Sequence, residues 1–115
     1  MKKIELETGA PMAAYQRYIH ALEAMHGWLS VDLIHNCFLM GEEVGELFKA
    51  IRKYERYYDQ SGSDPDSAAE RKAAVAEELV DVFNYVVALA NRLEIDLEAA
   101  FRDKNARNQA RSWDG

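Results

Sequence analysis

Residues 41–48, Gly-Glu-Glu-Val-Gly-Glu-Leu-Phe, and residues 76–83, Ala-Glu-Glu-Leu-Val-Asp-Val-Phe, repeat the pattern E-E-x-x-[ED]-x-F at a distance of 35 positions. At about 100° per helical residue, Glu43 and Glu46 lie about 60° apart on one side of a helix, with Glu42 beside Glu46. Glu78 and Asp81 have the same relation on a second helix, with Glu77 flanking them. Each helix therefore carries a strip of carboxylates, and like charges one turn apart destabilise a helix. The ordinary explanation is a solvated acidic face with basic neighbours. Against it, no Lys or Arg occurs from Phe38 to Phe48 or from Ala73 to Leu89. The strips are bordered by Leu39 and Ala50 on one helix and by Tyr85 and Ala88 on the other, residues suited to a covered groove. Hard oxygen donors on two apposed helices suit magnesium, or manganese in its place, and such a cation cancels the repulsion.

Outward from these strips the chain reads as four helices and no strand. The first spans about Pro11 to Met25, with Pro11 fit for an opening turn. The second begins after Ser30 and continues to about Tyr58, with apolar positions at Ile34, Cys37, Phe38, Val44, Phe48 and Ile51. A break follows at Asp59–Asp66, rich in Ser, Gly and Asp and containing Pro65. Ser67 and Glu70 form an S-x-x-E capping box for a third helix running to about Leu93. Asp96 caps a fourth, Leu97 to about Ala110. Residues 112–115 read as a tail docked through Trp113. The expected architecture is an all-α, four-helix-type bundle with two long central helices carrying the acidic motifs. The chain reads as one domain over 1–115, with 59–66 as a loop.

Composition narrows the classes of function. A chain of 115 residues has room for one modest core, and long helices in it leave apolar surface for a partner subunit. Leu39, Met40 and Leu47 make the second helix apolar nearly all round, so burial by oligomerisation is expected on this ground as well. The net charge of -6 disfavours a nucleic-acid partner, because neutralising phosphates needs a basic surplus. The bases concentrate late, at Arg102, Lys104, Arg107 and Arg111, an arrangement suited to a metal plus a compact phosphate ligand. Cys37 is the single cysteine, which leaves no disulfide framework, and its expected place is a small buried apolar position. No stretch approaches a membrane span and no signal peptide is visible, so a cytoplasmic location with no membrane partner is expected. Glu23 and His26 form an E-x-x-H of the type found in di-iron bundles, but that architecture needs a second copy and the sequence has none.

The two acidic motifs, E-E-x-x-E at residues 42–46 and E-x-x-D at 78–81 after 31 intervening residues, resemble the signature of the MazG-like all-α nucleoside triphosphate pyrophosphohydrolases. The loop between the helices accommodates a spacer slightly longer than the family's usual range. Downstream, Lys104, Asn108 and Arg111 resemble the family's K-x-x-x-N-x-x-R phosphate-binding run. The likeness covers about Leu29 to Arg111 and includes the small dCTP pyrophosphatase-like members. It implies cleavage of a ribo- or deoxyribonucleoside triphosphate to the monophosphate and pyrophosphate, in the service of nucleotide-pool housecleaning. It further implies Glu43, Glu46, Glu78 and Asp81 as metal ligands and a homodimer or homotetramer. A bottom-up mechanism agrees: metal ions offset charge on the phosphates and lower the pKa of water, and Glu42, ahead of Glu77, orients or deprotonates that water. Lys104 and Arg111 hold phosphate oxygens and Asn108 adds a neutral donor, the three sharing one helix face. Trp28, His35, Asn36 and Tyr85 are candidates for binding the base. The competing reading is a non-catalytic helical interaction or regulatory module that keeps the fold.

Overall fold

The computed structural model describes residues 3–55 and 67–111, and every regular element among them is helical: α1 (Met12–His26), α2 (Leu33–Glu55), α3 (Ala68–Arg92) and α4 (Leu97–Ala110). The all-α bundle expected from the sequence is thus the fold, with α2 and α3 closely packed. The end of the second helix expected at Tyr58, the loop Asp59–Asp66 and the docked Trp113 tail lie outside the described residues. The chain divides into two compact units, one of Met1–Ser30 with Val87–Gly115 and the other of Val31–Val86.

In the first unit the helix ends follow local chemistry. After α1, Gly27 takes a left-handed conformation (φ 74°), and the Trp28 N–H reaches back to the Glu23 carbonyl at 2.8 Å. After α3 the same reversal falls to Glu94 (φ 55°), with the Ile95 N–H on the Ala90 carbonyl at 2.9 Å. A side chain pays a steric penalty in that region that glycine does not. Asp96 caps α4 by accepting from the Ala99 N–H at 3.1 Å. Gln16 of α1 ties three segments together: its Nε2 donates to Asn91 Oδ1 and to the Ile95 carbonyl, while its Oε1 accepts from the Leu97 N–H. The core here is Ile19, Val87 and Ala88, with Tyr18, Leu22 and Leu97 packed around it.

In the second unit α2 opens on Asp32, whose Oδ1 accepts from the His35 N–H at 2.7 Å. Ser67 caps α3, with the Glu70 N–H on Ser67 Oγ at 3.1 Å, and the Glu70 side chain turns back to accept from the Ser67 hydroxyl. Most of the apolar positions named for α2 are open in the single chain. Ile34, Cys37, Phe38, Phe48 and Ile51 are exposed, Phe38 by 70%. Cys37 is therefore not the buried residue expected. A helix apolar on nearly every side has more greasy surface than this chain covers, so membership of the apolar set does not mean burial. None of the described helices is long and apolar enough to cross a membrane.

Candidate functional site

The close packing of α2 on α3 joins the two acidic strips. Glu43, Glu78 and Asp81 each present a carboxylate oxygen, and these oxygens lie within 4.8 Å of one another. Glu43 and Glu78 are half-buried and Asp81 is exposed. Burial, then the charges of Asp81 and Glu78, a hydrogen bond with Glu78 and the charge of Glu46 push the Glu43 carboxyl above its usual 4.5. Glu78 Oε2 is buried with no hydrogen-bond partner. A buried carboxylate oxygen left unsatisfied is costly, and two further carboxylates beside it add repulsion. An all-oxygen, anionic donor set with a spare buried lone pair has the chemistry that hard divalent cations take.

Three of the four expected metal-ligating residues thus converge. Glu46 stands one turn along α2, close enough for its charge to act on Glu43, but its oxygens are outside the trio. Glu42 and Glu77 are exposed.

The residues expected to hold phosphate sit on and just after α4. Lys104 is exposed and Asn108 is half-buried, its Nδ2 donating to Asn105 Oδ1 at 3.2 Å. Arg111 is the C-cap in extended conformation (ψ 141°), so the single helix face expected for all three holds only for Lys104 and Asn108. The late bases are not equivalent. Arg102 pairs with Glu98 and Arg107 with Asp103, each one turn back along the helix. Lys104 has no ion pair among the described residues, which leaves its ammonium available to an outside anion.

The four base-binding candidates separate by environment. Asn36, 3% exposed, donates Nδ2 to the carbonyls of Val31 and Asp32, so both amide hydrogens are committed to the entry of α2. His35 is exposed, and Tyr85 is half-buried on α3. Trp28 is half-exposed and stacks with His26, ring centroids 4.5 Å apart. The E-x-x-H at Glu23 and His26 holds no ligand site: Glu23 is 6% exposed, and both its oxygens accept from Arg92, at 3.1 and 2.6 Å. Sequence reasoning missed this ion pair, because 69 positions separate its members and no local pattern links them.

Comparison with known proteins places this geometry. The profile of the MazG nucleotide pyrophosphohydrolase domain matches residues 36–113, a span that contains both acidic motifs and the basic run. The chain is also 33% identical over 88 residues to the uncharacterized protein YvdC of Bacillus subtilis (strain 168), across 76% of this chain and 82% of that one.

Proposed function

Because the chain belongs to the MazG nucleotide pyrophosphohydrolase family, we propose that it hydrolyses a nucleoside triphosphate between the α and β phosphates, releasing a monophosphate and pyrophosphate. The observation that carries the reading is the convergence of Glu43, Glu78 and Asp81 around a buried, unpartnered carboxylate oxygen. These three, with Glu46 beside them, would hold magnesium, for which manganese is the natural substitute. A cation there supplies neutralisation of the phosphates and a more acidic water. The chain's own groups do the rest. Glu42 is the first candidate to orient the water and take its proton, as water oxygen bonds to phosphorus and the bridging P–O bond breaks. Lys104 and Arg111 hold phosphate oxygens and Asn108 supplies a neutral donor. Trp28, His35 and Tyr85 are the candidate base contacts, with Asn36 fixing the entry of α2, which bears His35, or offering its remaining oxygen. We read the whole chain as one catalytic domain acting in the cytoplasm on the nucleotide pool.

The reading includes a homodimer or homotetramer. Ile34, Phe38, Gly41, Gly45 and Phe48 recur along α2 at alternating intervals of four and three, and all are exposed. Nothing lies within 4 Å of where a Cβ would stand at Gly41 or Gly45, so a second helix has room to approach between the two phenylalanines.

The test is a panel of ribo-, deoxyribo- and modified triphosphates with magnesium, assaying pyrophosphate and orthophosphate separately. Magnesium-dependent release of intact pyrophosphate is expected. No turnover of any triphosphate by the folded protein, with magnesium or manganese, refutes the reading in favour of a non-catalytic module.

A further inference from the structure

The open side of α2 is self-complementary. At about 100° per residue, Glu43 points to the side of the helix where it meets Glu78 and Asp81 of α3. Ile34, Gly41, Gly45 and Arg52 lie within about 20° of the opposite side, and Phe38 and Phe48 within about 40°. α3 covers the other face, and the two phenylalanines stand open by 70% and 62%. The whole strip belongs to one compact unit, Val31–Val86.

The strip has the same spacing read from either end. Counted from Glu43, Gly41 and Gly45 are two positions away, Phe38 and Phe48 five, and Ile34 and Arg52 nine. A two-fold interface requires residue i to meet j and j to meet i. Two copies of α2 laid antiparallel about Glu43 meet that requirement with like on like. Phe38 then faces Phe48 of the partner subunit, and Gly41 faces Gly45 of the partner subunit. Nothing lies within 4 Å of a Cβ at either glycine, so the backbones have room to approach, and the phenylalanines close the gap at both ends. The aliphatic stem of Arg52 comes to Ile34 of the partner subunit.

Charge decides the direction. A parallel pair would gather Lys49, Arg52 and Lys53 of both copies at one end. The antiparallel pair separates the two basic ends and sets each beside the exposed Asp32 of the other copy. The two Glu42 carboxylates come near the axis on the solvent side, a screened repulsion that is small beside the aromatic contacts.

We propose that α2 pairs antiparallel with α2 of a second copy about a two-fold axis level with Glu43, leaving the two acidic clusters on the outer sides of the pair. This rests on the reading of α2 as a subunit interface and adds its partner element, direction and register.

The experiment is complementation between Phe38→Glu and Phe48→Lys, with mass read by light scattering and folding by far-UV circular dichroism. In either variant alone a charge faces a phenylalanine at both contacts, and self-association is expected to weaken at least about a hundredfold. Mixed in equal amounts, one copy of each forms a pair with one Glu–Lys and one Phe–Phe contact, and association is expected to recover at least about tenfold. In a parallel pair position 38 faces 38 and position 48 faces 48, so mixing rescues nothing. Lower mass for each variant with no recovery on mixing overturns the direction and register, while the interface reading stands. Unchanged mass in either variant overturns the pairing, and a monomeric wild type overturns the interface reading with it. Should a variant fail to fold alone, Ile51→Cys with a short bis-maleimide tests the same geometry. Antiparallel, Cys37 stands about 3 Å along the axis from position 51 of the other copy on the same flank, whereas within one chain the two are about 21 Å apart. Covalent dimers joined from Cys37 to position 51 are expected, and their absence, or linkage of Cys37 to its own copy, overturns the proposal.

Discussion

Replacing Glu43 by Gln is expected to make the metal-free protein more stable and the enzyme inactive. Its carboxylate stands with those of Glu78 and Asp81, oxygens within 4.8 Å of one another. Two unit charges at about that distance repel by about 0.9 kcal/mol in water and about 3.5 kcal/mol at an effective dielectric constant of about 20. Glu43 is half-buried and Asp81 exposed, so the relief from removing one charge falls between these limits, at about 1–3 kcal/mol. For a chain of this size that corresponds to a rise in Tm of about 4–12 °C. The pH dependence has a definite sign. The folded-state pKa of Glu43 is raised above 4.5 by burial and by Asp81, Glu78 and Glu46. A raised carboxyl pKa means the folded state holds the proton more tightly than the unfolded chain. Its contribution to stability is complete below about 4.5 and is lost as pH rises through the folded pKa. The gap between variant and wild type therefore opens as pH rises through that window and then stays constant. The assay is thermal unfolding in EDTA across pH 4–8, repeated with millimolar magnesium. Magnesium is expected to raise the Tm of the wild type and to leave Glu43→Gln nearly unmoved, because a preformed site binds only the folded state. Turnover is expected to disappear in the variant. A Glu43→Gln protein that is less stable without metal, still stabilised by magnesium, and still active refutes the argument.

Asp81→Asn is expected to abolish turnover while folding survives, measured by pyrophosphate release and far-UV circular dichroism. Lys104→Ala, at an exposed position without an ion pair among the described residues, should leave Tm unchanged and raise KM for triphosphate about tenfold, the worth of one charge-assisted contact. Glu94→Gly should raise Tm by about 4 °C, since it relieves about 1 kcal/mol of left-handed strain at φ 55°. Phe38→Glu, on the exposed seam of α2, should lower the oligomeric mass measured by light scattering; an unchanged mass would remove α2 from the interface.

What the sequence reveals and what it conceals follow from the range of the forces involved. The four helices and the Ser67 and Asp96 caps rest on neighbours within one turn, and all were legible. So was the meeting of Glu43 with Glu78 and Asp81, since a strip of repelling acids on each of two packed helices has few other resolutions. The Glu23–Arg92 pair was not legible: nothing local distinguishes an arginine that pairs across the fold from one that points to water. Asn36 shows a related limit: nothing local says that its amide hydrogens go to the carbonyls of Val31 and Asp32. Arg111 shows the limit of helical periodicity, which places a residue on a face only while the helix lasts. Cys37 and the phenylalanines of α2 show that periodicity finds the apolar set but not its partner.

Two features of the chain point the same way energetically. Among the described residues the buried apolar side chains are Ile19, Val87, Ala88 and Ala90, while Phe38, Phe48, Leu79 and Val80 lie open on the helices that carry the acids. The same two helices hold carboxylates that repel one another. Each helix face is thus unfavourable alone and becomes favourable only when something binds: a second copy against the apolar side, a cation between the acidic strips. Both kinds of binding stabilise the folded state by mass action. The two are coupled through the α2–α3 pair, because a cation that draws Glu43 toward Glu78 and Asp81 also fixes the spacing of the helices a second copy must match. Magnesium should therefore strengthen subunit association, and association should in turn tighten magnesium binding. Subunit dissociation measured with magnesium and with EDTA tests this reciprocity. Equal dissociation constants in the two conditions would mean that the acidic groove and the apolar seam act independently, despite sharing both helices.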